Sequence, residues 1–414
     1  MNETKYFQDL FLTFIYLKSI WFFCLNILNY NKINSTSEIP EIAKPFITPK
    51  DNKKAIEYNS FRLKWDPPIY VYNILVLIFW TLLGGLDSLD FLIHQITKME
   101  MLNSLLFIGS FFIINYFLSL PIQLFNTFKV EKKFGFNNTT VKLFFKDQIK
   151  AFGISILIGL PIIYLVLYFV KIFPTNWWLY SFIFITLFQF LLIWIYPTFI
   201  APLFNKFSKI DDNELKIQIE QLLKKLNFNS SGIFVMDASK RSNHSNAYFT
   251  GFGSSKKIVL YDTLINSLSQ SELLAVLAHE LGHFKKNHVI KNLIQGIIFS
   301  FFSFYLLSLL LKQPTFFNAH DVTRLSTTKG IILYFLVFDV YTFWTTPIFN
   351  YISRKYEFEA DNFASKYSDK EKLISALFKL QKENSGILNP HPLYALNYYS
   401  HPSVVRRANA LIKS

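Results

Sequence analysis

Long apolar runs separated by shorter polar stretches dominate this chain. Seven of them reach the roughly 20 helical residues needed to cross a ~30 Å hydrocarbon core. They lie near residues 9–29, 69–95, 101–127, 151–173, 178–204, 288–312 and 329–351. The second carries Gly84, Gly85, Asp87 and Asp90, so its far end is expected to be polar, kinked or turned toward an internal cavity. The longest polar region, about Asn205 to Asn287, separates spans five and six. Within it, Asp212 to Leu226 has the period of an amphipathic helix, and Gly232 to Met236 and Lys257 to Tyr261 read as short strands. Residues 31–60, rich in Asn, Ser, Thr and Lys, read as an irregular connection. The pattern divides the chain into 1–204 with spans one to five, a polar region 205–287, spans six and seven in 288–351, and a C-terminal segment 352–414.

Composition agrees with a membrane protein. The chain has 414 residues, 51% of them hydrophobic, and only 17% are charged, where a soluble domain carries about 25%. The net charge of +14 does not suggest a nucleic-acid partner, because the basic residues sit in loops with no aromatic-interleaved basic groove. With seven spans, one side shows only Lys5, Lys98, Lys171, Lys312, Arg324 and Lys329. Nearly all other basic residues fall opposite, so the 205–287 region and the C-terminus are expected in the cytosol and the N-terminus in the lumen. The first run lacks a small-residue cleavage site and reads as a retained span. The single cysteine, Cys24, excludes an intrachain disulfide or a cysteine metal site. Several N-x-S/T sequons occur, among them Asn2, Asn34, Asn138, Asn229 and Asn243; of these only Asn2 is on the expected lumenal side, so most should be unmodified.

The polar region contains Leu277-Ala278-His279-Glu280-Leu281-Gly282-His283. The run from Gln270 into it is a strong helix former that Ser269 or Ser271 can cap. On a helix, His279 and His283 share a face and can bind one metal through neutral imidazole nitrogens. Glu280 stands beside them, placed to take a proton from water. Two solvated surface histidines would leave the surrounding Leu and Ala residues unexplained. A zinc protease accounts for both features. Strand, loop, strand and metal helix in succession also suits an extended peptide held along a sheet edge. Catalytic zinc takes three protein ligands, and the third is sought just after span seven, in Glu357-Phe358-Glu359-Ala360-Asp361. Glu357 and Asp361 are again i and i+4, and Asp361 can accept the second N–H of a ligand histidine. Spacing alone leaves Glu357 and Glu359, on different faces, as alternative ligands.

These two segments together resemble the type I CAAX prenyl endopeptidases, membrane zinc proteases that process the farnesylated yeast mating pheromone and prelamin A. The likeness extends to Phe134-Gly135-Phe136-Asn137 with Phe144-Phe145-Lys146-Asp147, to Tyr196 through Lys206, to Arg241 through Phe249, and to Ser400-His401-Pro402 with Arg407. It covers roughly residues 125 to 414; the first 60 residues match weakly. The resemblance implies a mainly α integral membrane fold, with seven transmembrane helices around an intramembrane chamber. A zincin-type metalloprotease domain with a small β-sheet would cap it. It implies one Zn2+ per chain, with His279, His283 and Glu357 as ligands and Glu280 as general base and acid. Asp361 would orient a ligand histidine, and His401 and Arg407 would flank the scissile carbonyl and stabilise its oxyanion. Asn246 would hold the substrate backbone, with His244 a weaker candidate for the same task. The implied reaction removes the C-terminal aaX tripeptide from prenylated CAAX proteins, with a second, N-terminal cleavage as a further activity to test. The implied location is the endoplasmic reticulum membrane and the inner nuclear membrane. His94, His288, His320 and His391 lack partner motifs and read as loop or helix-end histidines.

Three rival readings fit the pattern less well. A broad membrane quality-control zinc protease of the HtpX type shares the metal motifs but usually has fewer spans. A non-catalytic chamber protein that clears membrane-inserting chains would not need Glu280. A transporter would need paired charges at mid-depth, and the spans offer only Asp87, Asp90 and Asp339.

Overall fold

The computed structural model describes residues 3–35, 38–210, 213–250 and 256–413. The first half is helical: α1 Glu3–Ser35, α2 Pro49–Leu82, α3 Gly85–Ile96, α4 Glu100–Phe125, α5 Val141–Ile172, α6 Trp177–Ile195 and the short α7 Ala201–Phe204. The polar region follows, with β1 Phe207–Lys209, α8 Asn213–Lys225, β2 Gly232–Met236, β3 Ala247–Thr250, β4 Lys257–Tyr261, α9 Asp262–Ser267 and α10 Gln270–Lys285. The chain ends with α11 His288–Leu310, α12 Pro314–Asn318, α13 Thr327–Thr342, α14 Thr346–Tyr367, α15 Lys370–Glu383, α16 Pro392–Tyr398 and α17 Val404–Lys413.

Among the described residues, six helical segments are long and apolar enough to cross a membrane. The pair α2 and α3, bent by 60°, makes a seventh as a broken span. The break falls at Gly84, whose φ of 69° suits a residue without a Cβ. The acids beyond it are paired. Lys329, which its sequence position puts in a loop, is buried in the first turn of α13, 2.7 Å from Asp87 and 3.1 Å from Asp90. Asp339 pairs with Lys18. The span acids thus each have a lysine partner from another helix.

Residues 31–60 are not the irregular connection expected from composition. Helix α1 continues to Ser35, and α2 starts at Pro49 on a capping box formed by Thr48 and Asp51. Proline at the first helical position and T-x-x-D before it are start signals that outweigh the polar composition. Asn2 lies outside the described residues. The side-chain amides of Asn34, Asn138 and Asn243 donate to Tyr30, Ser239 and Gly135 carbonyls respectively.

Among the described residues, the two largest clusters of buried apolar residues lie at opposite ends of the spans. One joins the start of α1, the end of α2, α3, the start of α4, and α12 with α13, around Phe11, Trp80, Phe107, Phe317 and Tyr334. The other is the core of the polar region, where Leu215, Ile219, Leu222 and Leu226 of α8 pack with Ile258, Leu260, Leu273 and Leu277. Between them the spans bury little; the buried residues of α5 are Phe144 and Leu167, one near each end.

The sheet has the order β1-β2-β4-β3, with β2 and β4 parallel and the outer pairs antiparallel. Strands β2 and β4 coincide with the predicted runs. The outer strands β1 and β3 span only three and four residues, too short for an alternation to register. Among the described residues, β3 is an edge strand of the sheet, directly preceded by Asn246.

Candidate metal centre and active site

Helix α10 begins at Ser269, whose side chain and Glu272 form a reciprocal capping box. Glu272 is itself buried and bonded to Ser375 at 2.6 Å and Lys379 at 2.7 Å, both on α15. Burial pushes its carboxyl up, but these donors and Ser269 hold it down at about 2. The metal helix is thus fixed at its start to a neighbouring helix. Farther along, it crosses α14 where both helices carry small residues. A Cβ added at Gly282 would lie 3.1 Å from the Ala360 Cα and 3.2 Å from the Ala360 carbonyl oxygen. This close approach brings His279 and His283 to Glu357.

The Nε2 atoms of His279 and His283 are 3.3 Å apart. Glu357 places Oε2 3.4 Å from His279 Nε2 and Oε1 3.3 Å from His283 Nε2. Ligands about 2.1 Å from a tetrahedral ion stand about 3.4 Å from one another, so this triangle has the size of one face of a zinc site. Glu357 is buried, and its Oε2 accepts no well-directed hydrogen bond, although His401 Nδ1 comes within 3.0 Å. Two facing imidazole nitrogens and an under-satisfied buried carboxylate are a donor set that fits a divalent cation. Burial opposes the Glu357 charge, yet the three histidines and Arg407 hold its carboxyl far below the usual range. Glu359, the alternative left by spacing, points elsewhere and meets His288 instead.

Behind His279, Asp361 Oδ1 lies 2.9 Å from Nδ1. Asp361 is in turn gripped by Arg407, which donates from Nε at 2.8 Å and from Nη2 at 2.6 Å. Burial raises the Asp361 pKa, and Arg407 and His279 together lower it to about 2. Arg407 also reaches Glu357 Oε2, at 3.3 Å from Nη1. Its burial follows the period of α17, in which Val404, Arg407, Ala408 and Leu411 face inward. Arg406 is exposed. Glu280 is half-buried beside His279, and the His401 side chain is 65% exposed, on the open side of Glu357.

The hydrogen-bond partners of His244 and Asn246 lie outside this triangle. Asn246 is exposed; its Oδ1 accepts from Ala247 N at 2.8 Å and its carbonyl from Tyr261 N, so it heads the edge strand β3. The His244 ring stacks on Phe136, with Nδ1 2.8 Å from Asn384 Oδ1 and Nε2 3.3 Å from Glu131 Oε2. Glu131 and Phe136 tie it to the chain just beyond span three, and Asn384 ties it to the C-terminal segment. The flanking residues are stitched to the same area. Arg241 forks onto Asp147 at 2.8 and 3.1 Å, and Asn243 donates to the Gly135 carbonyl. The separate sequence blocks that carried the resemblance are therefore in physical contact.

A family model described as the CAAX prenyl protease N-terminal region, with five membrane helices, matches residues 29–206. The model of peptidase family M48 matches residues 209–414. CAAX prenyl protease 1 of Saccharomyces cerevisiae is 35% identical over 415 residues, covering 92% of this chain and 90% of that protein. The Homo sapiens homolog is 35% identical over 351 residues, covering 75% and 74%. The crystal structure of S. mikatae Ste24p matches with a TM-score of 0.91 at 33% identity, covering 98% of this chain and 99% of that one. Expected and observed architecture agree, a helical membrane body carrying a metalloprotease domain with a small mixed sheet. The chain belongs to the CAAX prenyl protease 1 family, membrane metalloproteases of peptidase family M48.

Proposed function

We propose that this chain is a zinc metalloendopeptidase of the endoplasmic reticulum membrane that removes the aaX tripeptide from prenylated CAAX proteins. The observation that carries the reading is the buried His279–His283–Glu357 triangle with Glu280 beside it. When bound there, zinc polarises a carbonyl and lowers the pKa of a water toward neutrality. Glu280 accepts the proton of the attacking water and delivers it to the leaving amine. His401, on the exposed side of Glu357, donates to the developing oxyanion, and Arg407 adds positive potential from behind. Asp361 holds His279 in the tautomer that leaves Nε2 free to bind metal. Because Asn246 Oδ1 is tied to Ala247, its amide N–H groups are the ones offered to a peptide laid along β3. His244 acts farther out, as a clamp between the membrane body and the protease domain.

The substrate class follows from the membrane body. The apolar clusters lie at the two ends of the spans, and little of the spans' middle stretches is buried, as expected of helices standing around a chamber. A chamber between them accommodates an isoprenoid, at about 0.8 kcal/mol per buried CH₂. The protease domain is assembled from 205–287 and 352–414, on the two sides of spans six and seven. The basic-residue asymmetry favours a cytosolic catalytic side and a lumenal N-terminus, which suits residence in the endoplasmic reticulum and inner nuclear membrane.

The test is mass spectrometry of products from a farnesylated C-a-a-X peptide and its unprenylated twin, incubated with purified protein in detergent. Release of three C-terminal residues from the farnesylated peptide alone supports the reading. Equal cutting of both supports a quality-control protease instead. A longer farnesylated substrate in the same assay reports any second, N-terminal cleavage.

A further inference from the structure

His288 has no motif to mark it, yet it is only 1% exposed and both of its ring nitrogens are engaged. Asn287, with a left-handed backbone (φ 59°), ends the α10 segment and makes His288 the first residue of α11. The turn sends the His288 ring back against the metal helix. Nδ1 lies 3.1 Å from His283 Nδ1, and Nε2 lies 3.0 Å from Glu359 Oε2. The ring stacks on Tyr356, with centroids 4.2 Å apart and planes at 11°. Lys291 Nζ stands over the same tyrosine ring, 5.3 Å from its centroid.

Only one arrangement of protons satisfies these contacts. A histidine that offers Nε2 to a metal keeps its proton on Nδ1. His283 must therefore donate to His288 Nδ1, which has to be bare. The His288 proton then sits on Nε2 and is donated to the Glu359 carboxylate. The reverse order would put two protons between the histidines and leave Glu359 facing a lone pair.

We propose that His288 and Glu359 are positioning residues for His283, a histidine–carboxylate relay that fixes its tautomer and ring orientation and so sets the metal affinity of the site. The two ligand histidines are then supported differently. His279 is held by Asp361 directly, whereas His283 is held by a carboxylate acting through a second imidazole. Both acids that spacing offered are used, Glu357 in the triangle and Glu359 behind it. The inference rests on the zinc reading above.

The experiment measures zinc affinity by chelator competition on the purified full-length protein in detergent, with the visible spectrum of the cobalt-loaded form recorded alongside. His288→Ala is expected to weaken zinc binding about 10- to 100-fold and to alter the cobalt spectrum. Because His288 is buried, Glu359→Gln is the companion variant, its partly exposed side chain making misfolding a small concern. It should weaken zinc severalfold at an unchanged unfolding temperature. His288→Asn, which keeps a small acceptor and a donor, should recover part of the loss. Wild-type zinc affinity and cobalt spectrum in both His288→Ala and Glu359→Gln would overturn the relay. Loss of stability without a change in zinc affinity would also overturn it, by making His288 merely structural. Failure of the zinc reading itself looks different: His283→Ala would then bind zinc as tightly as the wild type.

Discussion

Arg407 and Asp361 are joined through two nearly parallel hydrogen bonds in the interior, 2.8 and 2.6 Å long, directly behind His279. Both residues are at most 8% exposed. A guanidinium forked onto a carboxylate fixes that carboxylate's orientation as well as its charge. Here the carboxylate lies 2.9 Å from His279 Nδ1 and, in the proposed zinc site, orients that ring.

Arg407→Met should therefore leave an uncompensated buried charge and destabilise the protein by about 3–5 kcal/mol. Arg407→Lys restores the charge but not the fork. It should recover most of the stability while weakening zinc retention about 10-fold or more. Thermal unfolding and metal content of the two variants separate the effects, and equal zinc retention by Arg407→Lys and wild type would contradict this role.

Gly282 sets the distance between the two helices that carry the ligands. Gly282→Ala places a methyl 3.1 Å from the Ala360 Cα, 3.2 Å from the Ala360 carbonyl oxygen and 3.2 Å from the Phe363 ring, so backbone as well as a ring must give way. A shift of the helices is expected to cost about 1–3 kcal/mol and to separate Glu357 from the histidines. A lower unfolding midpoint together with reduced metal content is the predicted result. An unchanged midpoint would show that the crossing is looser than this.

The start of the metal helix should be pH-sensitive through Glu272. Its carboxyl is held at about 2, below the ordinary 4.5. A depressed carboxyl contributes stability above its unfolded pKa, and that contribution is lost as pH falls from about 4.5 toward 2. The bound is about 3 kcal/mol, less because the partner Lys379 is partly in water. Glu272→Gln should thus unfold at a lower temperature than wild type at pH 6, with the gap narrowing markedly by pH 3. A gap that stays constant would remove Glu272 from the account.

Much of this was readable from residue order because helical period carries it. His279 and His283, Glu357 and Asp361 are pairs at i and i+4; Arg407 was marked by the family resemblance, and the burial pattern of α17 in the structure separates it from Arg406. What was not readable depends on distant partners or short elements. His288 finds Glu359 71 positions along the chain, and no local rule points there. Strand β3 is four residues inside a segment read as a motif, and it exists because β4 offers it a partner. The helix start at Pro49 was legible in the Thr48–Asp51 pair, but composition masked it. Lys329 looked like a loop cation because the acids that bury it lie in another span.

The central claim is that zinc on His279, His283 and Glu357 works with Glu280 as the proton carrier. Metal content and cleavage of a farnesylated C-a-a-X peptide, measured on wild type, Glu280→Gln and His283→Ala, test it most directly. The account predicts about one zinc per chain in wild type and Glu280→Gln, and cutting by the wild type alone. His283→Ala should lose both metal and activity. A Glu280→Gln protein that still cuts at the wild-type rate, or a His283→Ala protein that keeps its zinc, would contradict it.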